Sequence, residues 1–386
     1  EIEARQFLAE VYDAEYDDES ALEQLRILAE QEPEKPAFWS SLGETYLRVG
    51  QLEQAAEAVD RYQRLEPEDP YGFSVLGDIE RVRGRLDLAE SRYRHALELD
   101  PAFQLARLGL ATTLAVGGSH AEAETLWSEM VADADEQPGF RIDAAFELSY
   151  LLQSRGRFGE SIAPLVALEA QIEEEGFREA LGFVVRGIAR LELGELEEAG
   201  ALIDRAVEHA PSAPTRYLFA RGRLQLELGN LEAVRATAEE IRTFDLPPEE
   251  EDRAEERAAA YLEALVFLAE GDAPRAVESA RQAVELVGYP YALYRLGLVE
   301  ALRSTGRRAE AAEVAAAAAN DRDPVDPRLD LELDRTRAML AEAEIRSELG
   351  QDDRARRLAL ECLSRWADAD PALTEVAPAR RLSGRP

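Results

Sequence analysis

One glycine returns nine times in the same setting along this 386-residue chain, as Gly50, Gly84, Gly118, Gly156, Gly194, Gly229, Gly271, Gly306 and Gly350. The spacing is 34 residues up to Gly118, then 38, 38, 35, 42, 35 and 44. A second column keeps phase seven places earlier, reading Ala9, Gly43, Gly77, Ala111, Ser149, Gly187, Gly222, Ala264, Val299 and Ala343. A third stands five places later, as Ala21, Ala55, Ala89, Ala123, Ser161, Ala199, Val234, Ala276, Ala311 and Ala355. Glycine suits the left-handed residue that ends a helix. Small side chains on either side of that turn let two helices come close, because bulk there would hold the backbones apart. The three columns in phase therefore confine the chain to tandem helix hairpins in which each repeat touches its neighbours. Only the first repeat lacks the glycine and carries Tyr16 instead.

The stretch from Pro36 to Pro67 shows the unit most fully. With Pro36 as position one, Trp39, Leu42 and Tyr46 at four, seven and eleven make one apolar stripe, and Val59 at twenty-four answers it from a second helix. Pro67 lacks an amide hydrogen and stops the second helix. Trp39, Leu42, Gly43, Tyr46, Ala55 and Pro67 together resemble the tetratricopeptide repeat (TPR), whose pattern recurs over nearly the whole chain. The resemblance implies an all-α, right-handed α-solenoid of about ten hairpins, starting near residues 2, 36, 70, 104, 142, 180, 215, 257, 292 and 336. Residues 1–367 form the superhelix on this reading, and residues 368–386 a cap and tail with a short helix from Ala372. Inserts fall around Asp135–Arg141, Glu173–Glu179, Asp245–Glu256 and Asp321–Arg335.

The formal net charge of −35 argues against nucleic acid or an anionic membrane as partner. Lys35 is the only lysine, and the other basic residues are all arginine, as in a salt-adapted surface or a G+C-rich genome. Cys362 stands alone, so no intrachain disulfide forms. No apolar run approaches the ~20 residues of a membrane helix. The chain opens on Glu1, as a mature or cut form would. Its compartment is left open, with the cytoplasm slightly favoured over the periplasm or envelope, and its oligomeric state is undetermined.

Catalytic chemistry is nearly absent from the sequence. His95, His120 and His209 lie on different repeats without metal-ligand spacing, and neither a phosphate-cradling nor a nucleophile-elbow motif occurs. Asp321, Asp323, Asp326 and Glu332 touch on calcium-loop numbering, but Val325 sits at a ligand position and Asp326 replaces the glycine, which favours a solvated acidic turn. The run Glu249–Asp252 reads the same way. No enzyme activity, cofactor or metal is expected.

In the family that the chain resembles, first-helix positions two, five, nine and twelve face a concave groove that binds peptides. Positions five and nine here place Phe146, Tyr150, Val184, Ile188, Phe219, Arg223, Tyr261 and Leu265 in its middle. That set suits an amphipathic helix or an extended apolar segment; the competing reading packs the same side chains against neighbouring helices or the opposite wall. Arg186, Arg190, Arg216 and Arg221 gather nearby and either fork onto anionic groups of a partner or pair with glutamates such as Glu192 or Glu227. The lysine- and asparagine-rich clamp of the family's chaperone-binding members has no counterpart. Trp366, Ala367, Asp368, Ala369, Asp370 and Pro371 resemble the tail of arrays appended to bacterial serine/threonine kinases and cyclases. The expected function is a bacterial, non-catalytic scaffold that binds protein or peptide. The alternatives are a regulatory arm of a larger signalling enzyme, or an envelope scaffold for secretion or polysaccharide export.

Overall fold

The computed structural model describes residues 2–173, 177–209, 215–243, 255–286, 292–320 and 329–384. They form helices without strands, in ten successive pairs. The first four are α1 (Ile2–Ala14) with α2 (Asp18–Gln31), α3 (Pro36–Arg48) with α4 (Leu52–Leu65), α5 (Pro70–Val82) with α6 (Leu86–Leu99), and α7 (Gln104–Gly117) with α8 (His120–Ala132). The fifth pairs α9 (Pro138–Ser154) with three short pieces, α10 (Phe158–Ser161), α11 (Ala163–Ala167) and α12 (Glu169–Glu173). Then come α13 (Phe177–Glu192) with α14 (Leu196–His209), α15 (Thr215–Glu227) with α16 (Leu231–Thr243), and α17 (Glu255–Glu270) with α18 (Ala273–Glu285). The last pairs are α19 (Ala292–Ser304) with α20 (Arg308–Asn320) and α21 (Glu332–Glu348) with α22 (Asp352–Arg365), followed by α23 (Val376–Ser383).

The phased columns do what their chemistry requires. All nine glycines hold φ between 70° and 91°, and Tyr16 takes the same place at 58°. At Gly50 the next amide, on Gln51, donates 2.8 Å to the Tyr46 carbonyl, closing the exposed end of α3. The residues five places on, alanine in eight of the ten pairs, are buried in every pair, as at Ala55 and Ala199. A Cβ on Gly43 would stand 2.5 Å from Val59, and one on Gly187 would stand 2.8 Å from Ile203. At these two positions the small residue is thus the surface on which the second helix of the pair seats a branched side chain.

The contacts sort the chain into two compact units, divided in sequence between Phe140 and Arg141. In the first, Leu28, Phe38, Leu42, Val59 and Ile79 form a continuous core through α2 to α5. In the second, Val234, Ile241, Leu262 and Val266 tie α16 to α17, and Ala276, Leu298, Ala311 and Ile345 continue through α18 to α21. Pro164 explains the broken second helix of the fifth pair. It has no amide to donate, so the helix after Ser161 restarts with the proline in its first turn. Among the inserts, residues 174–176, 244–254 and 321–328 lie outside the described residues, and with them Glu249–Asp252, Asp321, Asp323 and Asp326. The tail helix begins at Val376, later than Ala372. Among the described residues, no helix is long and apolar enough to cross a membrane.

Candidate interaction surface

Within the second unit the first helices of successive pairs touch one another, α13 to α15, α15 to α17, α17 to α19 and α19 to α21. That row, called the inner wall below, carries Val184, Ile188, Phe219, Arg223, Tyr261 and Leu265 of the side chains expected to face a partner, and Phe146 and Tyr150 lie on α9 before it.

Those side chains divide by exposure. Phe146, Val184 and Tyr261 are buried. The Phe146 ring edge reaches the backbone at Gly182 on α13. Tyr261 stands between two other rings, 5.6 Å from Phe219 and 5.5 Å from Tyr294. Burial pushes its hydroxyl well above the usual tyrosine range. The packing alternative therefore describes these three positions, because the first helices lie too close together to leave them uncovered. Tyr150, Ile188, Phe219 and Leu265 are half-buried and keep part of their apolar surface outward.

The arginines are engaged within the chain. Arg186 bonds Glu169 at 2.9 Å, Arg221 bonds Glu240, and Arg190 meets Glu195 and Glu198, the latter at 3.2 Å. Arg216 is exposed and also takes part in the protein's electrostatic contacts. Neither Glu192 nor Glu227 serves Arg186 or Arg221, as the pairing alternative had it. Glu192 instead holds Arg223 at 3.1 Å and accepts from both terminal nitrogens of Arg337 on α21, at 3.1 and 2.6 Å. Arg337 also donates to Glu375 at 2.7 Å. Burial alone would raise the Glu192 carboxyl, but the guanidiniums of Arg337 and Arg223 outweigh it and hold the group at about 2.

Apolar contacts accompany this crossing. Ala189 of α13 belongs to one core with Phe158, Leu333, Met339, Leu340, Trp366 and Leu373. Part of the inner wall is thus occupied by the chain's own last hairpin, a closure that repeat spacing does not encode.

The histidines have local partners. His95 lies 3.0 Å from Glu98 and against the Phe73 ring, and His209 lies 2.8 Å from Glu179 and against Phe183. Among the described residues no three His, Cys, Asp or Glu side chains gather as a metal site, and Glu332 of the calcium-like run bonds Arg335.

A family profile described as tetratricopeptide repeat matches residues 6–70, 75–138 and 256–327, more than half of the chain. The chain is 28% identical over 215 residues to cellulose synthase operon protein C of Pseudomonas fluorescens (strain SBW25), covering 53% of this chain and 16% of that protein. It is 27% identical over 177 residues to cellulose synthase 1 operon protein C of Komagataeibacter xylinus, covering 44% and 13%. The match thus takes in less than a fifth of the length of these curated relatives. Among solved structures, a tetratricopeptide repeat protein from Parabacteroides merdae ATCC 43184 overlays with a TM-score of 0.40 at 16% identity, covering 78% of this chain and 98% of that one.

Proposed function

Since the chain belongs to the tetratricopeptide repeat family, we propose that it is a non-catalytic scaffold that binds a protein or peptide along the inner wall of its second unit. The observation that carries this reading is the run of half-buried apolar side chains on four successive first helices, Tyr150 on α9, Ile188 on α13, Phe219 on α15 and Leu265 on α17. On a chain of net charge −35, apolar surface at position five or nine of four successive repeats suits the buried face of an amphipathic helix or an extended apolar segment. Phe146, Val184 and Tyr261 support that wall from beneath, and Arg223 borders it.

The partner is a protein segment rather than nucleic acid, which the acidic surface would repel. Arg186, Arg190 and Arg221 meet a ligand only by exchanging the chain's own acids for those of a partner, which makes them specificity elements rather than open anion sites. The names of the two curated relatives favour a setting beside polysaccharide synthesis over a kinase or cyclase arm. Of the tail residues carrying the signalling resemblance, Trp366 is buried in the second unit's core.

The test is affinity capture with the full chain and with Ile188→Asp combined with Leu265→Asp, helix content being checked by circular dichroism. Loss of the same bound proteins from the double variant supports the reading; an unchanged set of bound proteins removes it.

A further inference from the structure

In a stacked array each repeat is held by its nearest neighbours. The second unit adds contacts that stacking does not supply. The Asp370 amide donates 2.8 Å to the Gly156 carbonyl, and the Gly159 amide donates 2.9 Å to the Asp370 carboxylate, 211 residues away in sequence. Leu373 is buried over the same corner, where a Cβ on Gly156 would stand 2.7 Å from it. Five further glycine turns in this unit, Gly194, Gly229, Gly271, Gly306 and Gly350, have open space at that point. Two residues past Leu373, Glu375 takes Arg337, and Arg337 takes Glu192 on the inner wall. One short segment therefore grips the fifth pair with Asp370 and Leu373 and the inner wall, through Arg337, with Glu375.

We infer that residues 366–384 are a latch that holds the last helix pair across the inner wall of the second unit, and that its release uncovers the wall around Ala189, Glu192 and Arg223. Only contacts between distant repeats are lost when it opens. The α13–α15, α15–α17, α17–α19 and α19–α21 interfaces remain, so opening is a local step and not unfolding. Glu192 and Arg223 become available to a partner by the same movement that takes Arg337 away. The latch is therefore an autoinhibitory contact for the surface proposed above, and its bearing on binding rests on that reading.

The test places spin labels in the full chain at Glu160→Cys, beside the gripped corner, and Asp353→Cys, at the start of α22, with Cys362→Ser to remove the native thiol. Electron-electron distance measurement is made with and without Asp370→Ala plus Leu373→Asp. The latch requires one narrow distance in the parent and a new, longer and broader population in the double variant, with helix content unchanged. A second variant, Glu375→Gln, spares the corner contacts and must shift the distribution in the same direction by a smaller amount. An unchanged distribution in both variants overturns the inference. So does loss of helix content in the double variant, since the tail would then be part of the fold and not a latch. The distances are read on the free protein, so failure here leaves inner-wall binding standing, and failed partner capture leaves the latch standing.

Discussion

Glu192 and Arg337 meet as a two-pronged pair, 145 residues apart in sequence, with Arg223 on one side of the carboxylate and Glu375 on the far side of the guanidinium. Both side chains are largely withdrawn from solvent, at 11% and 17% exposure. A carboxylate shared between two arginines is well compensated while all members stay in place, and costly when one is removed. The pair thus joins α13 and α21 of the second unit by charge, two first helices that are not sequence neighbours.

Glu192→Gln is expected to destabilise the second unit by ~2–3 kcal/mol at neutral pH, because Arg223 and Arg337 lose their shared counter-charge. The folded carboxyl titrates at about 2, below its ordinary 4.5. Its contribution is therefore complete above pH 4.5 and disappears as pH falls through 2. Urea unfolding at pH 7 and at pH 3 checks this. The gap between parent and variant should narrow at the lower pH, and a gap of equal size at both would show that charge is not its source.

In the first unit the Tyr93 ring is gripped by two glycines. A Cβ on Gly77 would stand 2.7 Å from it and one on Gly109 would stand 2.4 Å away, while its hydroxyl donates 2.8 Å to Asp78. Gly109→Ala should cost ~1–3 kcal/mol by overpacking. Tyr93→Phe should cost ~1 kcal/mol, because Arg81 remains 3.2 Å from Asp78 when the phenol is gone. Combining Gly109→Ala with Tyr93→Leu should recover part of the first loss, measured by urea midpoint against each single variant.

The repeats were legible because turn, small-residue and apolar positions recur in phase, so Gly50, Ala55 and Val59 sit where their chemistry places them. Gly109 lay outside those columns and was missed, although it contacts a ring from the preceding pair. The break at Pro164 went unread, although a proline in the middle of an expected helix is its signal. The Glu192–Arg337 and Gly159–Asp370 contacts carried no such signal, since spacing reports only what neighbouring repeats share. For the same reason the repeat register left packing against neighbouring helices as one of two readings for Phe146, Val184 and Tyr261, and their burial decides for it.

Cys362 is fully buried, and burial pushes its thiol up to about 12. At pH 8 only ~1 in 10,000 of such thiols is ionised, so alkylation of the native protein should be slower than that of a free cysteine by orders of magnitude. Timed iodoacetamide labelling followed by mass spectrometry checks it. Rapid labelling in buffer would mean that the core around Trp366 and Leu373 is open in solution.

Two chemically identical substitutions should separate the cost of a turn from the cost of the latch. Gly50 and Gly156 hold nearly the same backbone angle, φ 74° and 72°, so alanine pays ~1–2 kcal/mol for the left-handed conformation at either site. A Cβ on Gly50 meets nothing within 4 Å, whereas one on Gly156 meets Leu373 at 2.7 Å and Ala369 at 3.0 Å. Gly50→Ala should therefore lower stability while leaving Cys362 labelling unchanged. Gly156→Ala should also push the tail off its corner and accelerate labelling of Cys362, which shares a core with Leu373. Equal labelling rates in the two variants would show that the tail yields around the added methyl without releasing the last helix pair.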